Sequence, residues 1–300
     1  MSGYRKFERL PQTTLKNTNM ELLQNEPLML LWLGLMGLGV GFLTGLFGIG
    51  GAFITTPVMI TFFGLEPSVA VGCSMGFTLV NGALGLRKHS GAGNSEPTAM
   101  WAIASAACVG TIVGFQFHNQ LKEALGDNFE SGVNTMFCII LIPIGLLVWW
   151  QSDKDEGRPL LSKWKVPKMV SLRQEGLPPV SITLLALIGL SIGICKGMLG
   201  IGGGIILVPT LILVVGLTPR RAITVALCMV VLSSIVGTAL YAWQGDINVF
   251  VVLAMLLGSL AGVVLGAKFC NIMSPTRLKR LLAILILAFS VYLGYAVITG

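Results

Sequence analysis

The chain says one thing twice. Residues 41–117 and 193–269 align without a gap at a constant offset of 152, with nineteen identical positions, ten of them glycine. A gap-free duplication of this length confines the fold to two equivalent halves and whatever joins them. The densest match is Gly48-Ile49-Gly50-Gly51, followed by Pro57, Gly64-Leu65 and Pro67. Its copy is Gly200-Ile201-Gly202-Gly203, followed by Pro209, Gly216-Leu217 and Pro219. Each block lies inside an apolar stretch. Glycine-broken hydrophobic segments at matching places in two halves point to the binding site of a transporter.

Composition names the solvent. Charged residues make up 11% of the chain, hydrophobic ones 54%, and the mean hydropathy is +0.83, whereas a soluble domain carries about 25% charged residues. The chain is therefore expected to be a polytopic membrane protein. Lipid leaves only helices or a closed barrel. Unbroken apolar runs such as 281–298 favour helices over barrel strands that alternate across about 10 residues.

Long apolar segments cover 27–47, 67–86, 97–118 and 132–150, then 180–200, 220–243, 247–269 and 280–299. Each approaches the roughly 20 residues that cross a bilayer. Each half also has a short apolar piece, 52–63 or 204–215, which reaches only about 18 Å as a helix. The expected architecture is all-α, with two repeats of four long segments and one short segment. Residues 1–26 form a polar tail, 27–150 the first repeat, 151–179 a polar linker and 180–300 the second repeat. The tail predicts no cleavable signal peptide and an interfacial helix around 21–25.

The short pieces decide the symmetry. Four crossings per half make the repeats parallel, and five make them inverted. Cytoplasmic loops collect Lys and Arg. Four crossings with the N-terminus inside put twelve such residues inside and seven outside. Five crossings with the N-terminus outside put fourteen inside and five outside. The inverted 5+5 arrangement is preferred, and both place the linker in the cytoplasm.

All thirteen acidic residues lie in tails, loops or segment ends. Intramembrane acids mark proton and cation pathways, so a cation site built on carboxylates is not expected. Lys196 is the exception among the bases. It lies four residues before the second glycine block, where an ammonium needs a partner or water. A transported anion is one such partner; snorkelling at a membrane face is the alternative. Gly50, Gly51, Gly202 and Gly203 are expected to break the backbone and to start the short helices. Their free N–H groups would then form an anion cradle. Gly37, Gly41 and Gly45 instead fit close helix packing.

Ser74, Thr78, Asn81 and Gly85 share one helical face. They can orient a polar ligand or hydrogen-bond a neighbouring helix. The second copy keeps Ala226, Val230, Ser233 and Gly237 there. Arg87 closes the first stripe and is a candidate for the cytoplasmic mouth, or an interfacial anchor. The six cysteines predict buried free thiols. His89 and His118 fall at segment ends, where a polar ring is cheap to place. Trp149, Trp150, Trp164 and Trp243 fit an interfacial belt.

The duplicated block with its proline and the following Gly-Leu-x-Pro resembles the TauE/SafE family of membrane transporters, the sulfite exporter family. The resemblance spans about 27–299 and is most specific from Gly200 to Pro209. The first copy departs from it, with Ala52 in place of a third glycine. The resemblance implies export of sulfite, sulfoacetate or a related organosulfonate and a two-repeat architecture.

The expectation is thus a non-enzymatic secondary transporter in the cytoplasmic membrane. Lys196 and the two helix starts would neutralise the anion; Thr44, Ser74, Thr78, Asn81 and Ser233 would orient it. An anion channel, or an accessory protein acting through its linker, are the competing readings. The expected partners are a small anion and the lipid bilayer, with a homodimer left open, no nucleic acid and no cofactor.

Overall fold

The computed structural model describes residues 27–90, 95–126, 129–151, 169–170, 172 and 179–299. The tail helix expected around 21–25, most of the linker and Trp164 lie outside them. In the first half, α1 is Pro27–Phe47, α2 Ala52–Thr61, α3 Pro67–His89, α4 Pro97–Leu125 and α5 Phe129–Gln151. In the second, α6 is Ile182–Leu199, α7 Gly204–Thr210 with a π-helical turn at Leu211–Val215, α8 Pro219–Trp243, α9 Val249–Ile272 and α10 Pro275–Thr299. Six of these (α1, α3, α4, α6, α8 and α9) are long and apolar enough to cross a membrane. The chain is an all-α polytopic membrane protein. One departure is a two-residue ribbon in which β1 (Met169–Val170) pairs antiparallel with β2 (Val180–Ser181) and leads into α6.

Local chemistry sets the boundaries. Proline opens α3, α4 and α8, where its missing N–H would have no partner in any case. Gly200 ends α6 in the left-handed region. Pro57 and Pro209 lie inside the two short helices, where proline removes an internal hydrogen bond. The starts of α2, α3 and α4 precede those of α7, α8 and α9 by 152 residues each.

Four long helices pair through backbone contact at glycine. A Cβ on Gly37, Gly41 or Gly45 of α1 would fall 2.0, 2.6 or 2.2 Å from the carbonyl oxygens of Met255, Ser259 and Val263 on α9. On α6, Gly189, Gly193 and Gly197 meet the carbonyls of Ile103, Ala107 and Thr111 on α4 at 2.3 Å each. Every residue of the second set is a partner of the first at the 152-residue offset. In lipid, helices associate by such close packing. Contacts rise together in number, so α1 runs parallel to α9 and α4 parallel to α6.

α3 and α8 form the centre. Their apolar stretches are 72% and 61% buried, against 39–44% for the other four candidate spans. Gly85 faces Leu227, Gly82 faces Val230, and Gly76 faces Thr238, so these two helices are antiparallel. Near the start of α3, Gly72 meets Asp246, and Gly76 also faces Val252 near the start of α9. α3 therefore runs parallel to α9, and so to α1. The chain between them, α2, runs back. Trp32, Leu35, Trp101, Val109, Leu257 and Leu260 are exposed, on the outer face that suits lipid.

Two expectations need correction. α4 extends to Leu125, so His118 lies within it and is fully buried. Its Nδ1 is 2.7 Å from the Met198 carbonyl, and its Nε2 is 3.2 Å from Ser68 Oγ. His89 does end α3, yet it is also buried, with Nε2 2.6 Å from the Gly45 carbonyl. Both rings tie helices together. Of the cysteines, only Cys73 and Cys270 are buried; the other four are half-buried.

Candidate functional site

The two glycine blocks meet. α1 stops at Phe47 and α2 starts at Ala52; α6 stops at Leu199 and α7 starts at Gly204. Gly50, Gly51, Gly202 and Gly203 have φ of +75°, +82°, +77° and +72°, a region that other residues enter only with strain. A Cβ on Gly202 would lie 3.0 Å from Ala52 Cβ, and one on Gly204 would lie 2.6 Å from Ile49 Cα. The departure at Ala52 has a structural reason here: its methyl group faces the glycine of the other block. The N-cap residues of α2 and α7 are Gly51 and Gly203, which have no side chain to cap with, and the first N–H groups of a helix have no acceptor inside it.

The last turn of α6 carries Lys196, which is fully buried. It does not snorkel. Its Nζ donates to the Val230 carbonyl at 2.8 Å, to Ser233 Oγ at 2.7 Å and to Ser234 Oγ at 2.7 Å, all on α8. Ser233 in turn donates to the Met229 carbonyl at 2.6 Å. An ammonium has three donors, and each has a neutral acceptor here. No carboxylate is among its partners.

The equivalent position in the first half is Thr44. Its Oγ1 donates to the Val40 carbonyl at 2.9 Å and accepts from Asn81 Nδ2 at 2.9 Å. Asn81 is equivalent to Ser233. The same α1–α3 and α6–α8 contact is thus built with a hydroxyl and an amide in one half, and with a lysine and hydroxyls in the other. His89 on the Gly45 carbonyl and Tyr241 on the Gly197 carbonyl, 2.9 Å away, form a second equivalent pair. They hold the turns from which Thr44 and Lys196 project.

Gly50 joins the two clusters. A Cβ there would lie 2.9 Å from Thr78 Cγ2 and 2.9 Å from Val230 Cγ1, and Val230 carries the carbonyl that binds Lys196. A Cβ on Gly51 would lie 3.0 Å from Thr44 Oγ1. Thr56 Oγ1 lies 2.8 Å from Ser74 Oγ and 3.2 Å from the Gly200 carbonyl. Thr44, Ser74, Thr78, Asn81, Lys196 and Ser233 are all fully buried. Thr78 Oγ1 and Asn81 Oδ1 have no hydrogen-bond partner among the described residues. Arg87 stands apart, exposed two residues beyond Gly85 at the end of α3.

Sequence reasoning missed Ser234 and Thr56. The adjacent Ser233-Ser234 pair in an apolar segment was the available signal. Nothing in the sequence marks Thr56, which has Val208 at the equivalent position. Ion pairs lie toward the two ends of the bundle. Lys122 Nζ is 2.5 Å from Glu66 Oε1 and 3.1 Å from Ser68 Oγ. At the other end, Arg221 pairs with the buried Glu96.

Comparison with known proteins gives a consistent result. The family described as Sulfite exporter TauE/SafE matches residues 33–293. The probable membrane transporter protein YjnA of Bacillus subtilis is 26% identical over 264 residues, covering 84% of this chain and 95% of YjnA. A probable membrane transporter protein of Xylella fastidiosa is 26% identical, covering 84% and 90%. The probable membrane transporter protein MJ0441 of Methanocaldococcus jannaschii is 26% identical, covering 83% and 89%. No solved structure matches significantly.

Proposed function

The chain belongs to the sulfite exporter TauE/SafE family and is a multi-pass membrane transporter; from that premise we propose that it exports a small sulfur-containing anion, sulfite, sulfoacetate or a related organosulfonate, across the cytoplasmic membrane by alternating access. The observation that carries this reading is Lys196. It is a fully buried ammonium whose three acceptors are neutral, beside a glycine break with uncapped helix starts. A buried charge without a counter-ion is costly, and an anion is the ligand that offsets it. Lys196 acts mainly through its field, because its protons are already taken by α8. Direct contact with the anion falls to the N–H groups at the start of α2 and to the Thr78 hydroxyl.

The inverted 5+5 layout belongs to the same proposal. It is supported by the antiparallel run of α3 against its equivalent α8, by the return of α2 and by contacts that survive exchange of the halves at the 152-residue offset. In this layout Arg87, Lys88, the linker, Arg220, Arg221, Lys268, Arg277, Lys279 and Arg280 share the cytoplasmic side, as Lys and Arg prefer. A conformation with every central polar side chain buried favours a carrier over an open channel. Alternate release of the Arg221–Glu96 and Lys122–Glu66 ties, one toward each end, would open the centre to each side in turn. An inside-negative potential drives an anion outward with about 2.3 kcal/mol per charge per 100 mV.

Reconstitution into liposomes tests the reading. Saturable flux is expected for at least one of sulfite, thiosulfate and sulfoacetate. Flux of none of them would overturn the substrate class, and non-saturating unitary currents would replace the carrier with a channel.

A further inference from the structure

Asn81 is fully buried, and its amide has only one way to face. Thr44 Oγ1 spends its proton on the Val40 carbonyl at 2.9 Å, so it can only accept from its neighbour. The Asn81 nitrogen must therefore be the atom 2.9 Å away. That leaves Asn81 Oδ1 as a buried acceptor with no partner among the described residues. One helical turn earlier, Thr78 Oγ1 is equally buried and without a partner there. Thr78 and the Asn81 partner Thr44 bracket the Gly50-Gly51 backbone, where the α2 start offers N–H donors. Buried polar atoms in native proteins almost always have partners, and leaving one unmade is expensive.

The requirements on a ligand are complementary. The α2 start, the Thr78 hydroxyl and the Lys196 field ask for acceptor oxygens and negative charge. Asn81 Oδ1, an acceptor only, asks for a proton donor. A fully deprotonated oxyanion provides the first and not the second. We infer that the preferred substrate is an anion that brings its own hydrogen-bond donor, a hydrogen oxyanion or a hydroxy-substituted sulfonate, and that Asn81 selects for that donor. The inference rests on the anion reading above and narrows it. Ser233 stands at the equivalent position in the second half and donates to the Met229 carbonyl, so the selection belongs to one half alone.

The test pairs two sulfonates that differ by one hydroxyl, 2-hydroxyethanesulfonate and ethanesulfonate, as competitors of labelled sulfite flux in proteoliposomes of the full chain. The hydroxylated compound is expected to inhibit at a concentration about tenfold lower or less, since a site built around a ligand hydroxyl strongly rejects the analogue without it. Asn81→Leu is expected to bring the two within about twofold by removing the unpaired acceptor. If that variant does not fold, the wild-type affinities of the two sulfonates measured by calorimetry decide, with the same tenfold ratio expected. Equal inhibition or affinity, inhibition by neither while sulfite is carried, or a ratio unchanged in Asn81→Leu, overturns the inference and leaves the anion reading standing. If sulfite is not carried, the label moves to the two sulfonates, where preferred flux of the hydroxylated one supports the inference. Flux of neither then overturns the inference, and the anion reading falls with it if thiosulfate and sulfoacetate are not carried either.

Discussion

Replacing Lys196 by methionine separates charge from packing. The side chain keeps nearly the same length, so the fully buried site stays filled. Three hydrogen bonds to Val230, Ser233 and Ser234 are lost. The two hydroxyls can turn to other acceptors, and a buried charge without a counter-ion disappears. Substituting buried charges by apolar groups of similar shape is often neutral or stabilising, so folding should survive within about 1–2 kcal/mol. Transport should not. An anion about 6 Å from Nζ at an effective dielectric of about 20 is attracted by about 2.8 kcal/mol, or roughly a hundredfold in affinity at about 1.4 kcal/mol per tenfold. The assay is saturable anion flux in proteoliposomes, with thermal denaturation in detergent run in parallel. The expected result is intact melting and flux reduced about a hundredfold at subsaturating anion. Undiminished flux in Lys196→Met would refute the electrostatic role, and so would normal flux in both Lys196→Ala and Lys196→Arg.

Other expectations concern the frame around that charge. Gly41→Leu and Gly193→Leu occupy equivalent positions, and each drives a side chain into a backbone carbonyl 2.6 or 2.3 Å from the new Cβ. Both should cost about 1–3 kcal/mol or more, seen as a clearly lower melting temperature, whereas Gly39→Leu, with nothing within 4 Å, should be tolerated. Gly50→Ala adds about 1–2 kcal/mol of left-handed strain and pushes on Thr78 and Val230. Flux should therefore fall further than the melting temperature, and proportional losses would argue for a purely structural break. In a cysteine-free background, a cysteine at Thr14 should react with an impermeant reagent from outside and one at Ser162 only from the cytoplasm. A cytoplasmic Thr14 would sink the ten-segment layout.

Much of the frame was legible because glycine is informative in lipid. The spacing of Gly37, Gly41 and Gly45 announced a packing face, and the clustered block announced a break. The sequence could not say which helix fills that face. α1 takes α9 from the opposite half, and α6 takes α4, a choice made by long-range packing that no local pattern encodes. Lys196 stood out because no acid accompanies it; its partners Ser233 and Ser234 lie more than 30 residues away and appeared only on folding. His118 was placed at a segment end because the apolar run fades after residue 118. The helix continues through Lys122, whose charge reaches Glu66. Arg87 looked like part of the stripe by number. Two residues past Gly85 the side chain has already turned outward at the helix end.

The central claim is that the buried centre carries negative charge across the membrane. Solid-supported membrane electrophysiology on wild-type proteoliposomes reads it directly. A jump in sulfite or organosulfonate concentration on one side is expected to produce a transient current with the sign of a moving anion. The transient should saturate with concentration and, at subsaturating anion, fall about a hundredfold in Lys196→Met. A transient of opposite sign, or none at all from protein that demonstrably binds the anion, would contradict it.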